Sequence, residues 1–310
     1  MIICASRRTD LPAFHAEWLM NRLRAGYALV RNPMVKNLVY RVDLTRQNVD
    51  ALVFMSKDPR PLMPYLKEIG SMGHMSLFQI TLTPYGKDLE PGVPFKADLA
   101  DAFRAISEKL GADRVLWRYD PIILNDRLDL TWHRRKFDLL CRELEGYTRR
   151  CVFSFVDLYG KLGRSDALRA VTNAEMDAMG AMMAPIAAAH GIRLSYCCPH
   201  YDLSQYGIEP GGCLDGRQLA ALGIPYEETE VPLRAGCRCV KSIDIGTYNT
   251  CAHGCLYCYA NRPDPASRAG RVYDPDAEML GGALGPDDRV VALTGRTEAR
   301  LSDYFEYTQY

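Results

Sequence analysis

The sequence predicts an α/β fold: a (β/α) barrel, full or partial (TIM-like), with an irregular cysteine-rich C-terminal segment capping its catalytic rim. Three observations favour this fold. Apolar strand-like segments alternate with amphipathic helix-like segments over the first two thirds of the chain, and polar turn-forming residues follow each strand. Eight of the 11 cysteines then fall between Cys197 and Cys258. Because periodicity does not show whether a sheet closes, a doubly wound sheet remains the alternative.

Six strand–helix pairs support the barrel. The strands are predicted at residues 2–5, 51–55, 77–82, 115–117, 151–156 and 192–196. The helices that follow them are predicted at residues 14–24, 62–69, 99–110, 132–144, 174–189 and 216–222. A hairpin-like insertion, residues 27–30 and 38–42, follows the first pair. From residue 211 the alternation stops, which predicts a barrel body over residues 1–210 and a cysteine-rich segment over residues 211–310.

Composition and charge narrow the class of protein. Of the 310 residues, 48% are apolar and 25% are charged, which is typical of a globular chain rather than a disordered one. Lys plus Arg equals Asp plus Glu at 38 each, so bulk charge favours neither nucleic acid nor a membrane surface as partner. No apolar run is long enough to span a membrane, and Arg7 and Arg8 follow the first apolar run rather than precede it as in a signal peptide. We therefore expect a cytoplasmic protein.

Charged side chains follow the predicted strands. The cations are Arg7, Arg8, Lys57 and Arg118, and the carboxylates are Asp10, Asp120 and Asp157. In parallel α/β folds these strand-to-helix turns meet on one rim, where active sites form. Helix capping would also explain the polar residues Thr9, Asp10, Ser56 and Asp58. The four cations are poor caps, however, and they indicate an anionic ligand. The three carboxylates would orient those cations or hydrogen-bond a sugar.

Cys251, Cys255 and Cys258 form a Cys-x3-Cys-x2-Cys motif. Thiolates with this spacing wrap one loop around a 4Fe–4S cluster and ligate three irons, which leaves the fourth iron open for a ligand. Gly254 lets the backbone turn close to the cluster. A structural zinc site is the alternative, although zinc ribbons use paired Cys-x2-Cys knuckles. His253, inside the loop, either tunes the cluster by hydrogen bonding or faces solvent.

Four further cysteines suffice for a second metal site, either an auxiliary cluster or tetrahedral zinc. They are Cys197, Cys213, Cys237 and Cys239. One of them would alternatively complete the first cluster, and Cys198 and His200 are alternative ligands. The remaining cysteines, Cys4, Cys141 and Cys151, lie in apolar segments and are predicted to be buried as small hydrophobic residues.

Several strings extend this pattern across the chain. They include Ser6-Arg7-Arg8-Thr9-Asp10, Trp117-Arg118-Tyr119-Asp120-Pro121 and the run from Asn249 through the three cysteines to Asn261. In these strings the chain resembles a prokaryotic family known only as a domain of unknown function and described as radical-SAM-like.

The cysteine triplet is also similar to that of radical S-adenosylmethionine enzymes, in which the open iron chelates the cofactor. That resemblance implies that Tyr257 packs on the adenine. Because an arginine fork pairs with a carboxylate in two places, we also expect Arg8 and Arg118 to contact S-adenosylmethionine. In those enzymes the triplet follows the first strand, whereas here it lies near the C-terminus.

The sequence thus predicts an iron–sulfur protein, a non-standard radical S-adenosylmethionine enzyme that acts on an anionic small molecule. Reduction of the cluster implies an electron donor such as flavodoxin or ferredoxin. Two alternatives stay open: an iron–sulfur redox or sensor protein without catalysis, and a barrel hydrolase or lyase whose metal site is structural.

Overall fold

A large parallel sheet organises the chain. The computed structural model describes residues 1–158, 168–197, 201–228, 236–261 and 273–294. The strands within these ranges are β1 (Ile2–Ala5), β2 (Tyr27–Arg31), β3 (Leu38–Asp43), β4 (Ala51–Ser56), β5 (Ser76–Thr81), β6 (Val115–Ile122), β7 (Arg150–Phe155), β8 (Arg193–Tyr196), β9 (Glu209–Pro210), β10 (Ile243–Asp244) and β11 (Arg289–Leu293). Eight of them form one sheet in the order β10-β1-β4-β5-β6-β7-β8-β9, and all its pairs are parallel.

The order of the strands in the sheet follows the chain from β1 to β9, because each strand–helix unit packs next to the one before it. The predicted α/β class with a large parallel sheet is therefore confirmed. The full barrel is wrong: within the described ranges, β9 and β10 are edge strands and do not pair with each other. Each has only two residues, and Pro210 lacks the N–H that a longer ladder requires, so the sheet stays open between them.

Seven α-helices are present within the described ranges. They are α1 (Leu11–Phe14), α2 (Ala16–Ala25), α3 (Leu66–Ser71), α4 (Lys96–Leu110), α5 (Leu130–Leu144), α6 (Asn173–Ala189) and α7 (Gly216–Ala221). Side-chain oxygens of Asp10, Asp129 and Thr172 cap α1, α5 and α6 by accepting from first-turn N–H groups. All six predicted helices are present, but the first is divided at His15, and a 3-10 turn with Pro64 inside it replaces the start of the second.

A second, three-stranded sheet contains the predicted hairpin. Strands β2 and β3 pair antiparallel, as the sequence indicates, and β11 adds to β3 in parallel. Arg31 of β2 also binds both carboxylate oxygens of Asp288, just before β11, at 2.6 Å. The C-terminal part of the chain therefore returns to pack on its N-terminal third.

The two faces of the large sheet have separate cores, since successive side chains of a strand point to opposite faces. Ile3 and Ala5 belong to the larger core, which packs under the helices, whereas Ile2 and Cys4 belong to the smaller one. Cys4, Cys141 and Cys151 are fully buried, as predicted. Among the helices of the described residues, none combines the length and the apolar character needed to cross a bilayer.

Candidate functional site

One cavity of about 560 Å³ lies at the carboxyl ends of the central strands. Every described side chain that the sequence singles out as a site residue lines it. These residues are Arg7, Arg8, Asp10, Lys57, Arg118, Asp120, Asp157, Cys197, Cys213, Cys237, Cys239, Cys251, Cys255, Tyr257 and Cys258. The alternative ligands Cys198 and His200 lie outside the described residues. The turns after the parallel strands and the cysteine-rich loops thus form one site, as the rim argument expects.

Asp10 joins the end of β1 to the loop of the cysteine triplet. Its Oδ1 accepts from Ala13 N–H at 3.1 Å and from Ser56 Oγ at 2.7 Å. Its Oδ2 accepts from Lys57 N–H at 2.7 Å and contacts His253 Nε2 at 2.9 Å. Asp10 therefore caps a helix, as one reading of the sequence has it, and also fixes His253, which is buried rather than facing solvent.

Glu90 is the second buried anchor, and sequence reasoning missed it. This carboxylate accepts from Lys57 Nζ at 2.8 Å, from Thr83 Oγ1 at 2.7 Å, and from Lys96 and Tyr257. Burial alone would raise its pKa, but the two lysine charges outweigh burial and lower the pKa to about 2. Glu90 therefore stays ionised and holds Lys57 and the Tyr257 hydroxyl in place.

The triplet loop is clamped to the segment after β5. Gly92 N–H donates to His253 O at 2.8 Å, and Leu256 N–H donates to Leu89 O at 3.0 Å. A Cβ atom on Gly92 would lie 2.7 Å from the carbonyl oxygens of Ala252 and His253, so only glycine permits this approach. The loop is thereby held against the body of the protein.

The three thiols of the triplet loop are half-buried on the cavity wall. Burial raises the pKa of Cys251 to about 12 and that of Cys255 to about 11. Cys251 Sγ accepts from the N–H of His253, and the charge of Lys57 acts on Cys255 in the direction that favours its thiolate. Cys251 and Cys255 therefore need further positive charge to ionise at neutral pH, which a bound metal supplies.

The other four cysteines converge at the same cavity. The Sγ atoms of Cys197 and Cys213 are 3.5 Å apart, and the thiol of Cys239 contacts those of Cys197, Cys213 and Cys237. Within the described ranges, no group of three or more His, Cys, Asp or Glu side chains has the arrangement of a preformed metal site. The four thiols therefore form one contacting group on the cavity wall.

Two arginines on the cavity wall each have an N–H group that makes no hydrogen bond among the described residues. Arg7 is held by Asp244, which accepts from its backbone N–H at 2.7 Å, and by Ser242. Arg118 pairs with Asp120, which also accepts from Ser154. Arg7 Nη1 and Arg118 Nε are buried and have no hydrogen-bond partner among the described residues. Such N–H groups are suited to an anionic ligand.

Arg8 and Asp157 are the remaining predicted cation and carboxylate of the site, and both line the cavity. Arg8 lies 5.6 Å from the centre of the Tyr248 ring, and its Nη1 donates to Gly246 O at 3.4 Å. Asp157 lines the cavity two residues after β7.

Sequence reasoning missed Asp244 as well as Glu90. Asp244 is buried in β10 and accepts from Ser6 Oγ, Arg7 N–H and Gly246 N–H. It lies between the apolar residues Ile243 and Ile245. A buried carboxylate flanked by apolar residues is the available signal, because such a group requires buried donors.

A protein-family model described as "Domain of unknown function (DUF1848)" matches residues 2–260. The matched range includes every residue that the sequence singles out for the site. No curated protein and no solved structure matches the chain.

Proposed function

This chain belongs to the DUF1848 family, a domain of unknown function, and we propose that it is an iron–sulfur enzyme of a non-standard radical S-adenosylmethionine type. The family supplies no reaction, so the proposal depends on the cavity. The observation that carries it is that the triplet Cys251, Cys255 and Cys258 lines the same cavity as the half-buried arginines Arg7 and Arg118. The strand order of the body supports a barrel opened between β9 and β10.

The residues of the triplet loop fit a 4Fe–4S cluster. Three thiols lie on one short loop at the cavity wall, and the N–H of His253 donates to Cys251 Sγ, a bond that tunes cluster sulfur ligands. Lys57 adds positive charge near Cys255. Asp10, through His253, keeps the loop in this position. A 4Fe–4S cluster held there together with S-adenosylmethionine would supply radical chemistry on one-electron reduction by a donor such as flavodoxin or ferredoxin, and that chemistry belongs to the cofactor.

The protein's own residues bind and orient the reactants. Arg7 Nη1 and Arg118 Nε offer buried N–H groups to a carboxylate or phosphate of the substrate or cofactor. Asp120 holds the Arg118 guanidinium through a salt bridge and so limits the directions in which Arg118 donates. The hydroxyl of Tyr257 is anchored on Glu90, and its ring lines the cavity. The ring thereby presents an aromatic face to an adenine. We propose an anionic small molecule as substrate on these grounds.

The direct test is iron and sulfide content in anaerobically purified protein. Each of the three single variants, Cys251→Ala, Cys255→Ala and Cys258→Ala, should lose the same set of about four irons. The matched control is Cys141→Ala, a buried thiol in α5 outside the cavity, which should keep its iron. Iron that persists in all three triplet variants would refute the cluster assignment.

Activity is tested separately with the reconstituted protein. Reduction by dithionite in the presence of S-adenosylmethionine should release 5′-deoxyadenosine, and the triplet variants should release none. The alternative is a redox or sensor protein. It would be supported if the protein holds a full cluster but never cleaves S-adenosylmethionine, and if adding S-adenosylmethionine does not change the electron paramagnetic resonance spectrum of the cluster.

A further inference from the structure

A second group of thiols remains outside the proposed iron–sulfur chemistry. From the mutual contacts of Cys197, Cys213, Cys237 and Cys239 we infer a tetrahedral Zn²⁺ site with four cysteine ligands. This site goes beyond the proposed function, since the triplet loop contributes no ligand to it.

The distance between thiols favours a single ion over a second cluster. A tetrahedral site with Zn–S bonds of about 2.3 Å places its sulfur atoms roughly 3.8 Å apart. The observed Cys197–Cys213 distance is 3.5 Å, and Cys239 contacts all three other thiols. In a cubane cluster each thiolate binds a different iron, which holds the sulfur atoms farther apart than this.

The backbone brings these thiols together at the open side of the large sheet. Cys213 follows the edge strand β9, and Cys237 and Cys239 precede the edge strand β10. Val240 N–H donates to Leu214 O at 3.0 Å, which joins the two loops beside the thiols. A Cβ atom on Gly212 would lie 2.6 Å from Arg238 O, so glycine is required for this close approach. A metal here would link the two edges that β-pairing leaves unconnected.

Charge around the thiols fits four thiolates on one divalent ion. Binding of Zn²⁺ releases the four thiol protons to solvent and leaves a net charge of −2 on the metal and its ligands. Arg118 interacts electrostatically with Cys197 and Cys213, and Arg7 with Cys239. Two half-buried guanidinium groups therefore offset part of that charge.

The degree of burial assigns the ion a structural role. Cys197, Cys213 and Cys239 are buried, and Cys237 is half-buried. Four protein ligands leave no open position for a substrate or water, as in structural rather than catalytic zinc sites.

The test measures zinc and iron by mass spectrometry in the full-length triple variant Cys251→Ala/Cys255→Ala/Cys258→Ala. We expect one zinc ion per chain and no iron there, and loss of the zinc when Cys213→Ser or Cys239→Ser is added. The triple variant separates this site from the iron–sulfur cluster, so failure of either assignment is seen without the other. Iron in place of zinc, no metal at all, or zinc that survives both serine substitutions would each overturn the inference.

Because a serine variant can fail to fold, cobalt provides a second measurement on the triple variant with the four thiols intact. Replacement of zinc by Co²⁺ should produce strong visible absorption and a near-ultraviolet thiolate-to-metal band, as tetrahedral sulfur ligation requires. Weak absorption typical of octahedral oxygen ligands would contradict the four-thiol site.

Discussion

Glu90 shows how one buried charge organises the cavity wall. Its side chain is about 1% exposed and is shared by two lysines, a threonine and Tyr257. Burial lowers the pKa of Lys96, whereas at Lys57 the charge of Glu90 and its hydrogen bond outweigh burial and raise the pKa. The two ammonium groups are tolerated in this buried setting because the carboxylate lies between them.

Glu90→Gln should lower the free energy of unfolding by about 3 kcal/mol at pH 6, because it leaves two half-buried lysines without their buried counter-charge. The pKa of Glu90 is depressed from 4.5 to about 2 in the folded protein. Its contribution is therefore complete above the unfolded pKa of 4.5 and disappears as the pH falls through about 2. Urea unfolding at pH 6 and pH 3 should show a difference from wild type that narrows at the lower pH.

Glu143→Gln is the control for this effect, since Glu143 forms an exposed ion pair with Arg104 on the surface. It should change the free energy of unfolding by less than about 1 kcal/mol. Equal effects of the two substitutions, or a difference for Glu90→Gln that widens toward pH 3, would contradict the assigned role of Glu90.

The contrast between Asp10 and Glu90 shows which site residues the sequence makes visible. Asp10 lies in the turn that follows the first predicted strand, after Ser6-Arg7-Arg8-Thr9. Its place on the rim is therefore predictable from the order of residues along the chain. Glu90 lies in a loop whose sequence has no periodic signal, and its partners Lys57 and Tyr257 are 33 and 167 residues away. Its role depends on tertiary contacts that no local pattern encodes.

At the scale of elements, the triplet loop depends on a close backbone contact with the segment after β5. Gly92→Ala would place a methyl group 2.7 Å from the carbonyls of Ala252 and His253. Neither is a flexible side chain that moves easily, so we expect a loss of about 1–3 kcal/mol in unfolding free energy. If the loop carries the cluster, iron content per chain should fall as well.

The matched control is Gly70→Ala in α3, where a new Cβ atom meets no atom within 4 Å. This substitution should leave iron content unchanged and stabilise the protein slightly, since alanine favours helix. Calorimetry and iron analysis of both variants check the pair. A stable Gly92→Ala protein with full iron content would show that the loop position does not depend on this contact.

The long periodic elements are predictable because each carries its own apolar pattern, as α4 and α5 do. Strands β9 and β10 have two residues each, too few for any alternation to register. Strand β11 pairs with β3, about 250 residues earlier in the chain, and nothing local to β11 specifies that partner. The open edge of the sheet was likewise not predictable, because closure depends on how these short strands end.

At the scale of the whole molecule, β9 and β10 are the two edges of the large sheet within the described ranges, and three of the four thiols lie on the loops next to them. Strands β9 and β10 make no hydrogen bonds with each other, and coordinate bonds to one shared ion would link their loops instead. Such a link stabilises the edges more than the centre, since local opening begins where the fewest contacts hold the backbone. Amide hydrogen exchange distinguishes the two regions.

Removal of the proposed zinc ion by a chelator should therefore speed exchange mainly at the edges. Gly211 N–H, which donates to Tyr196 O, and Val240 N–H, which donates to Leu214 O, should exchange faster. Amides of β4 and β5, in the middle of the sheet, should keep their rates, because their neighbours on both sides remain paired. The Cys213→Ser protein, already without the ion, should show no further change with chelator. A uniform acceleration across the sheet would mean that the ion supports global stability and does not specifically join these two edges.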